Sequence, residues 1–220
     1  MNLETVKIEA GTFLMGSPKE EKNRYRDEGQ VKVEITKPFE MMTTLVTQEQ
    51  WLEVMESNPS DFTGKNHPVD GVSWNDLQIF IKKLNEKTGK NYRLPTEAEW
   101  EHAARGGTET AYFFGDDASA LGDYAWYSKN SGDRTQEVKK KKPSPNGLYD
   151  IYGNLWEWVQ DAYSSTLPGG KDPLNEDGSS RVLRGGGWYS IAWVLRSANR
   201  DRYYPGNGNY FVGFRLVRTL

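Results

Sequence analysis

Cysteine is absent from the 220 residues. That excludes disulfides, thiolate metal sites and a cysteine nucleophile, and it fits any redox compartment. Histidine is nearly absent. His67 and His102 stand alone and far apart, and a lone histidine is more often a structural or surface residue than a ligand. No apolar run approaches the roughly 20 residues of a membrane-spanning helix, and the first ten residues lack the apolar core of a signal peptide. Positive charge is not in excess either. With 28 Lys and Arg against 31 Asp and Glu, the net charge is −3, so no nucleic-acid partner is expected. The one basic run, Lys139 to Lys142, stands before Pro143 and Pro145 and reads as a solvated loop.

What is present is aromatic and glycine-rich. Eight Trp, twelve Tyr and eight Phe supply a few large buried pieces, although only 36% of residues are hydrophobic. The 22 Gly and 10 Pro predict much turn and loop. The length fits one large domain or two small ones, and with no internal repeat and no linker to split the chain a single domain over 1–220 is expected.

Local signals place several elements. Residues 6–15 read as two short strands around Gly11, and 31–35 (VKVEI) alternate as a half-buried strand does. Thr47 with Gln50 forms a capping box that opens a helix, with Trp51, Leu52, Val54 and Met55 on its buried side, ending before Asn58-Pro59. A second helix starts at Ser73 and stops at Gly89; a third starts at Thr96, with Glu99 closing its capping box, and stops at Gly106. Glu97, Glu99 and Glu101 resemble paired catalytic carboxylates, but acidic residues in a first turn are explained by the helix dipole.

Two segments stand out. In 147–158 (GLYDIYGNLWEW), Asp150, Asn154 and Glu157 put oxygen donors in one short loop with a glycine, as a hard cation requires. A structural turn with Trp156 and Trp158 buried explains it equally. In 181–217, regular anchors alternate with gaps. The anchors are Gly185-Gly186-Gly187-Trp188, the Arg196-to-Arg200 run, Pro205-Gly206-Asn207 and Gly213-Phe214-Arg215-Leu216. The gaps hold Tyr189, Ser190, Ile191, Val194, Asp201, Arg202, Tyr203, Tyr204, Asn209, Tyr210 and Phe211. No period of 2 or 3.6 runs through them, and their Tyr-rich mixture is that of binding loops. The plain alternative is the irregular last third of a glycine-rich fold.

Taken in order, VKIEAGTFLMGS, RLPTEAEWEHAARGG, GLYDIYGNLWEW and RVLRGGGW…RSANR…GFRLV resemble the formylglycine-generating-enzyme (sulfatase-modifying factor) domain. That resemblance implies a single α+β domain with the C-type lectin-like fold, loop-rich and with few regular elements. Enzymes of the family oxidise a substrate cysteine with a copper-binding cysteine pair, which this chain lacks. Related iron-dependent sulfoxide synthases need a histidine-rich site that His67 and His102 do not reproduce. The expectation is a protein that is not an enzyme.

The last segment resembles the variable region of proteins diversified by a retroelement, treponemal surface lipoproteins among them. Mutagenesis at adenines of asparagine codons cannot yield Lys, Gln, Glu, Met or Trp, and the gap residues contain none of these. Gly208 joins them as a further variable position, and Trp193 departs from the pattern. The resemblance implies a monomer at the cell surface, its leader removed, binding a protein or other cell-surface ligand. It also implies a structural calcium ion (Ca²⁺) at Asp150, the carbonyls of Gly153 and Leu155, and Glu157. Trp188, Arg196, Arg200, Pro205, Phe214 and Arg215 should then be buried scaffold, with the gap residues exposed together. The alternatives are a metal-dependent oxidoreductase or modifying enzyme of the same fold, and calcium-dependent carbohydrate binding. The latter is weakly echoed in Asn58-Pro59-Ser60 and Ser144-Pro145-Asn146.

Overall fold

A computed structural model describes residues 3–220. Strands β1 (Thr5–Ile8), β2 (Gly11–Met15), β3 (Val31–Ile35) and β4 (Phe39–Met42) precede helices α1 (Gln48–Leu52) and α2 (Trp74–Thr88). Strand β5 (Tyr92–Arg93) leads into α3 (Glu97–Arg105), and α4 (Leu121–Tyr124) is a single turn. Then come β6 (Trp156–Ala162), β7 (Gly170–Lys171), β8 (Arg181–Arg184), β9 (Arg200–Tyr203), β10 (Val212–Gly213) and β11 (Val217–Thr219). This is the expected loop-rich α+β architecture.

The strands form three small sheets, ordered β1-β4-β11-β5, β10-β6-β8-β9 and β2-β3-β7. The two strands around Gly11 part company at once, β1 pairing with β4 and β2 with β3. Strand β11 lies between β4 and β5, with Val217 opposite Met41 on one side and Arg93 on the other. One core gathers around Trp100, Tyr152 and Phe39; a second holds Trp51, Phe80, Trp158 and Phe214. In the second, Trp51 stacks on Phe80 with ring centres 4.9 Å apart.

Both expected capping boxes form, at Thr47–Gln50 and Thr96–Glu99, and a third closes at Ser73–Asp76. The stops at Gly89 and Gly106 are left-handed, with φ of 66° and 57°, a conformation glycine adopts without the usual side-chain penalty. Helix α1 is shorter than its apolar residues suggest. It ends at Leu52, which is exposed, while Val54 and Met55 are half-buried beyond it against the second core.

The lysine run is not a free solvated loop. Lys139 pairs with Glu4, Lys140 with Glu137 and Lys142 with Asp123, while Lys141 Nζ lies 4.0 Å from the centre of the Trp126 ring. Each lysine finds a partner brought near by the fold, except that Glu137 lies only three residues from Lys140.

Candidate functional site

The C-terminal segment is held by four arginines, each buried and each facing a carboxylate from elsewhere in the chain. Arg184 on β8 reaches Glu101 and donates to the carbonyls of Ser197 (2.8 Å), Ala198 (3.0 Å) and Asn199 (2.7 Å). Arg196 forks onto Glu28, with both contacts at 2.7 Å, and also holds Glu21 and the Asn23 carbonyl. Arg200 grips Glu97 and the carbonyls of Asp27 and Ser164. Arg215 places Nε and Nη2 each 2.8 Å from Glu157. Burying a guanidinium is costly unless its donors are used, and here the carbonyls of irregular segments supply most of the remaining acceptors, although Arg184 Nε is left without one. Those carbonyls are thereby satisfied without a sheet or helix to pair them.

Glu97 and Glu101 therefore do more than complement a helix dipole. Both are at most 1% exposed. Glu97 takes Arg200, and Glu101 takes Arg105, Arg184 and the Gly16 N–H. Their spacing of four puts them on one face of α3, which turns towards the C-terminal segment. That spacing was the available signal, and the dipole explanation passed over it.

Between the anchors lies an aromatic array. Tyr189 is 5.4 Å from Phe211 between ring centres, Phe211 is 5.6 Å from Tyr210 and 5.9 Å from Tyr203, and Trp188 backs Tyr189 and Tyr210 at 5.4 and 6.0 Å. Trp156 donates its indole N–H to the Tyr189 hydroxyl at 3.1 Å, and Asn209 donates to Tyr203 at 3.2 Å. Tyr189, Ile191, Tyr204 and Tyr210 are 43–63% exposed, and Asp201, Arg202 and Gly208 are exposed too.

Not every gap residue faces water. Ser190 is 4% exposed; its Oγ accepts the Gly187 N–H at 3.0 Å, so it closes the glycine turn. Val194, Tyr203, Asn209 and Phe211 are half-buried, with Val194 reaching both cores. Gly208 is exposed but confined. A Cβ there would stand 2.1 Å from the Gly71 carbonyl oxygen, so a side chain requires that backbone to move. Among the expected scaffold residues, Trp188, Arg196, Arg200, Phe214 and Arg215 are buried, while Pro205 is only half-buried.

The oxygen-rich loop brings Asp150 and Glu157 to the same region, both 1% exposed. Asp150 Oδ2 accepts the Lys139 N–H at 3.1 Å, while its Oδ1 is buried without a hydrogen-bond partner. Burial pushes this carboxyl up to about 6. Glu157 Oε2 receives Arg215 and the Trp100 indole, whereas Oε1 receives Arg215 alone. One lone pair of Oε1 and the orphaned Asp150 Oδ1 are thus left for a hard cation. Asn154 bonds Gln136 through both ends of its amide, and the same amide acts to lower the Asp150 carboxyl against its burial. The histidines are structural in their contacts: His67 meets Thr135, and His102 meets the Glu9 carbonyl and packs on Phe13.

Known proteins are similar to this chain in fold or in sequence. Treponema denticola variable protein 1 is 32% identical and superposes with a TM-score of 0.90, over 98% of this chain and 95% of that one. The fold alone is shared with the U1 variant of the Major Tropism Determinant, at 14% identity and a TM-score of 0.53, over 82% of this chain and 50% of that one. The chaperone protein LppX of Paenibacillus barcinonensis is 28% identical over 79% of this chain and 78% of its own. The formylglycine-generating enzyme of Streptomyces coelicolor is 36% identical over 74% of this chain, a match that spans 56% of the enzyme. The profile of the sulfatase-modifying factor enzyme 1-like domain matches residues 1–220, and the chain belongs to that family.

Proposed function

We propose that this is a non-enzymatic ligand-binding protein whose C-terminal segment forms a recognition surface diversified by a retroelement. The observation that carries the reading is one contiguous face. Tyr189, Phe211, Tyr210 and Tyr203 touch ring to ring on a backbone clamped by buried arginines. Tyrosine buries large area at low entropic cost, exposed aromatic clusters mark binding surfaces, and a rigid frame lets loop side chains vary without unfolding. Binding energy then comes from the aromatic anchors, with Ile191, Asp201, Arg202 and Tyr204 tuning the partner. The likeness to Treponema denticola variable protein 1 supports the diversification. A protein or other cell-surface ligand, a monomeric state and display as a surface lipoprotein complete the proposal.

Comparing C-terminal coding segments from related isolates tests it. Differences should concentrate at the exposed gap positions, with a reverse transcriptase gene and an imperfect repeat of the segment nearby. Differences spread evenly over the domain would sink the idea.

A structural calcium ion at Asp150, Gly153, Leu155 and Glu157 belongs to the same proposal. Its support is the buried, unpartnered Asp150 Oδ1. When bound, the ion would supply charge compensation and stiffness beneath the aromatic face.

A further inference from the structure

Three carboxylates of the loop between β2 and β3 turn inward. Glu21 and Glu28 hold Arg196; Asp27 accepts the Tyr163 hydroxyl at 2.9 Å and lies 3.7 Å from Arg200. Glu20 is exposed and lies with Lys22 beside a different cleft. The loop's other cations gather elsewhere. Lys19, Arg24 and Arg26 line a cleft of about 430 Å³ that no carboxylate lines. Among the described residues none of these three is in an ion pair. In a chain of net charge −3, three unneutralised cations sharing one concavity stand out electrostatically.

Arg24 is held in place for this. Its Nε donates to Ser17 Oγ at 3.1 Å, Ser17 donates to Glu28 Oε2 at 2.8 Å, and Glu28 is fixed by Arg196. That chain uses one of the five guanidinium donors and leaves four in the terminal amino groups. Ser165 and Thr166 supply hydroxyls to the same cleft. Guanidinium forks with hydroxyl donors suit tetrahedral oxyanions, and three cations match a dianion better than a single carboxylate. Arg26 and Ser165 also line the neighbouring cleft that contains Asp201 and Arg202.

We propose that this cleft binds a phosphate or sulfate group, with Arg24 and Arg26 as the donors and Lys19 as a supporting charge. The site stands on its own electrostatics and does not depend on C-terminal diversification. Its position lets a ligand seated on Asp201 and Arg202 place an oxyanion among residues outside the variable segment.

The test is a titration of the full chain with inorganic phosphate and with sulfate, following arginine Nε–H resonances, with chloride at matched ionic strength as control. Saturable shifts are expected with either oxyanion, weakened about tenfold or more in the Arg24→Gln/Arg26→Gln double variant. Shifts no larger than those with chloride, or undiminished in the double variant, overturn the proposal. If the double variant does not fold, Arg26→Gln alone, an exposed side chain, carries the same comparison. O-phosphoserine and glucosamine 6-sulfate distinguish a phosphorylated from a sulfated source. Binding of their ester-free parents with equal affinity overturns the oxyanion assignment.

Discussion

Arg200 lays its Nε 2.6 Å and its Nη2 2.9 Å from the two carboxylate oxygens of Glu97, a residue 103 positions earlier. Both side chains are 1% exposed. This clamp ties β9, which carries Asp201, Arg202 and Tyr203, to the first turn of α3. The exposed aromatic face is therefore positioned by a helix that contributes nothing to it directly.

Breaking the clamp from one side leaves a buried guanidinium with too few acceptors. Glu97→Ala should destabilise the fold by about 3–5 kcal/mol, read as a lower denaturation midpoint with an unchanged m-value. A loss below about 1 kcal/mol would mean that water reaches Arg200.

The face should tolerate change where it is exposed and resist it where it is not. Combined replacement of Ile191, Asp201, Tyr204 and Tyr210 should keep stability within about 1 kcal/mol, as surface substitutions do. Ser190→Ala removes the acceptor for the Gly187 N–H and should cost about 1–3 kcal/mol. Gly208→Ala should also destabilise, since its Cβ meets the Gly71 carbonyl. Thermal melting of a small variant panel separates the two groups.

Acid should stabilise one part of the scaffold. Asp70 is fully buried, with Oδ2 unpartnered. Burial, and secondarily the Asp61 charge, raises its carboxyl from 3.8 to about 7, against the Asp61 N–H. The native state thus binds a proton that the unfolded state has lost, so this group's stabilisation falls as pH rises from 3.8 to about 7. In Asp70→Asn, that part of the pH dependence should vanish, a slope of up to about 1.4 kcal/mol per pH unit. Denaturation of both proteins at pH 5 and 7 measures it. An unchanged slope would place the titration elsewhere.

Calcium should raise the melting temperature through Asp150. Saturating Ca²⁺ at 100 times the dissociation constant adds about 2.7 kcal/mol, and Asp150→Ala should abolish the increment. An increment that survives the substitution would rule out this ligand set.

What the sequence determined by itself was local. Three capping boxes, two glycine stops and the alternation of 31–35 are written within a few residues of where they act. Their physics is short-ranged: a side-chain oxygen reaches N–H groups two or three residues ahead, and burial period follows backbone geometry. The anchors and gaps of 181–217 were legible for the same reason, as a failure of any period. Tertiary structure decided the rest. It turned Ser190 inward to close the glycine turn, wedged Val194 between two cores and pressed Gly208 against Gly71. It also gave Glu97 and Glu101 their arginines and left Lys19, Arg24 and Arg26 unneutralised in one cleft. These outcomes depend on which carboxylate or carbonyl the fold brings alongside, 175 positions away for Arg196 and Glu21, and no local pattern encodes that approach.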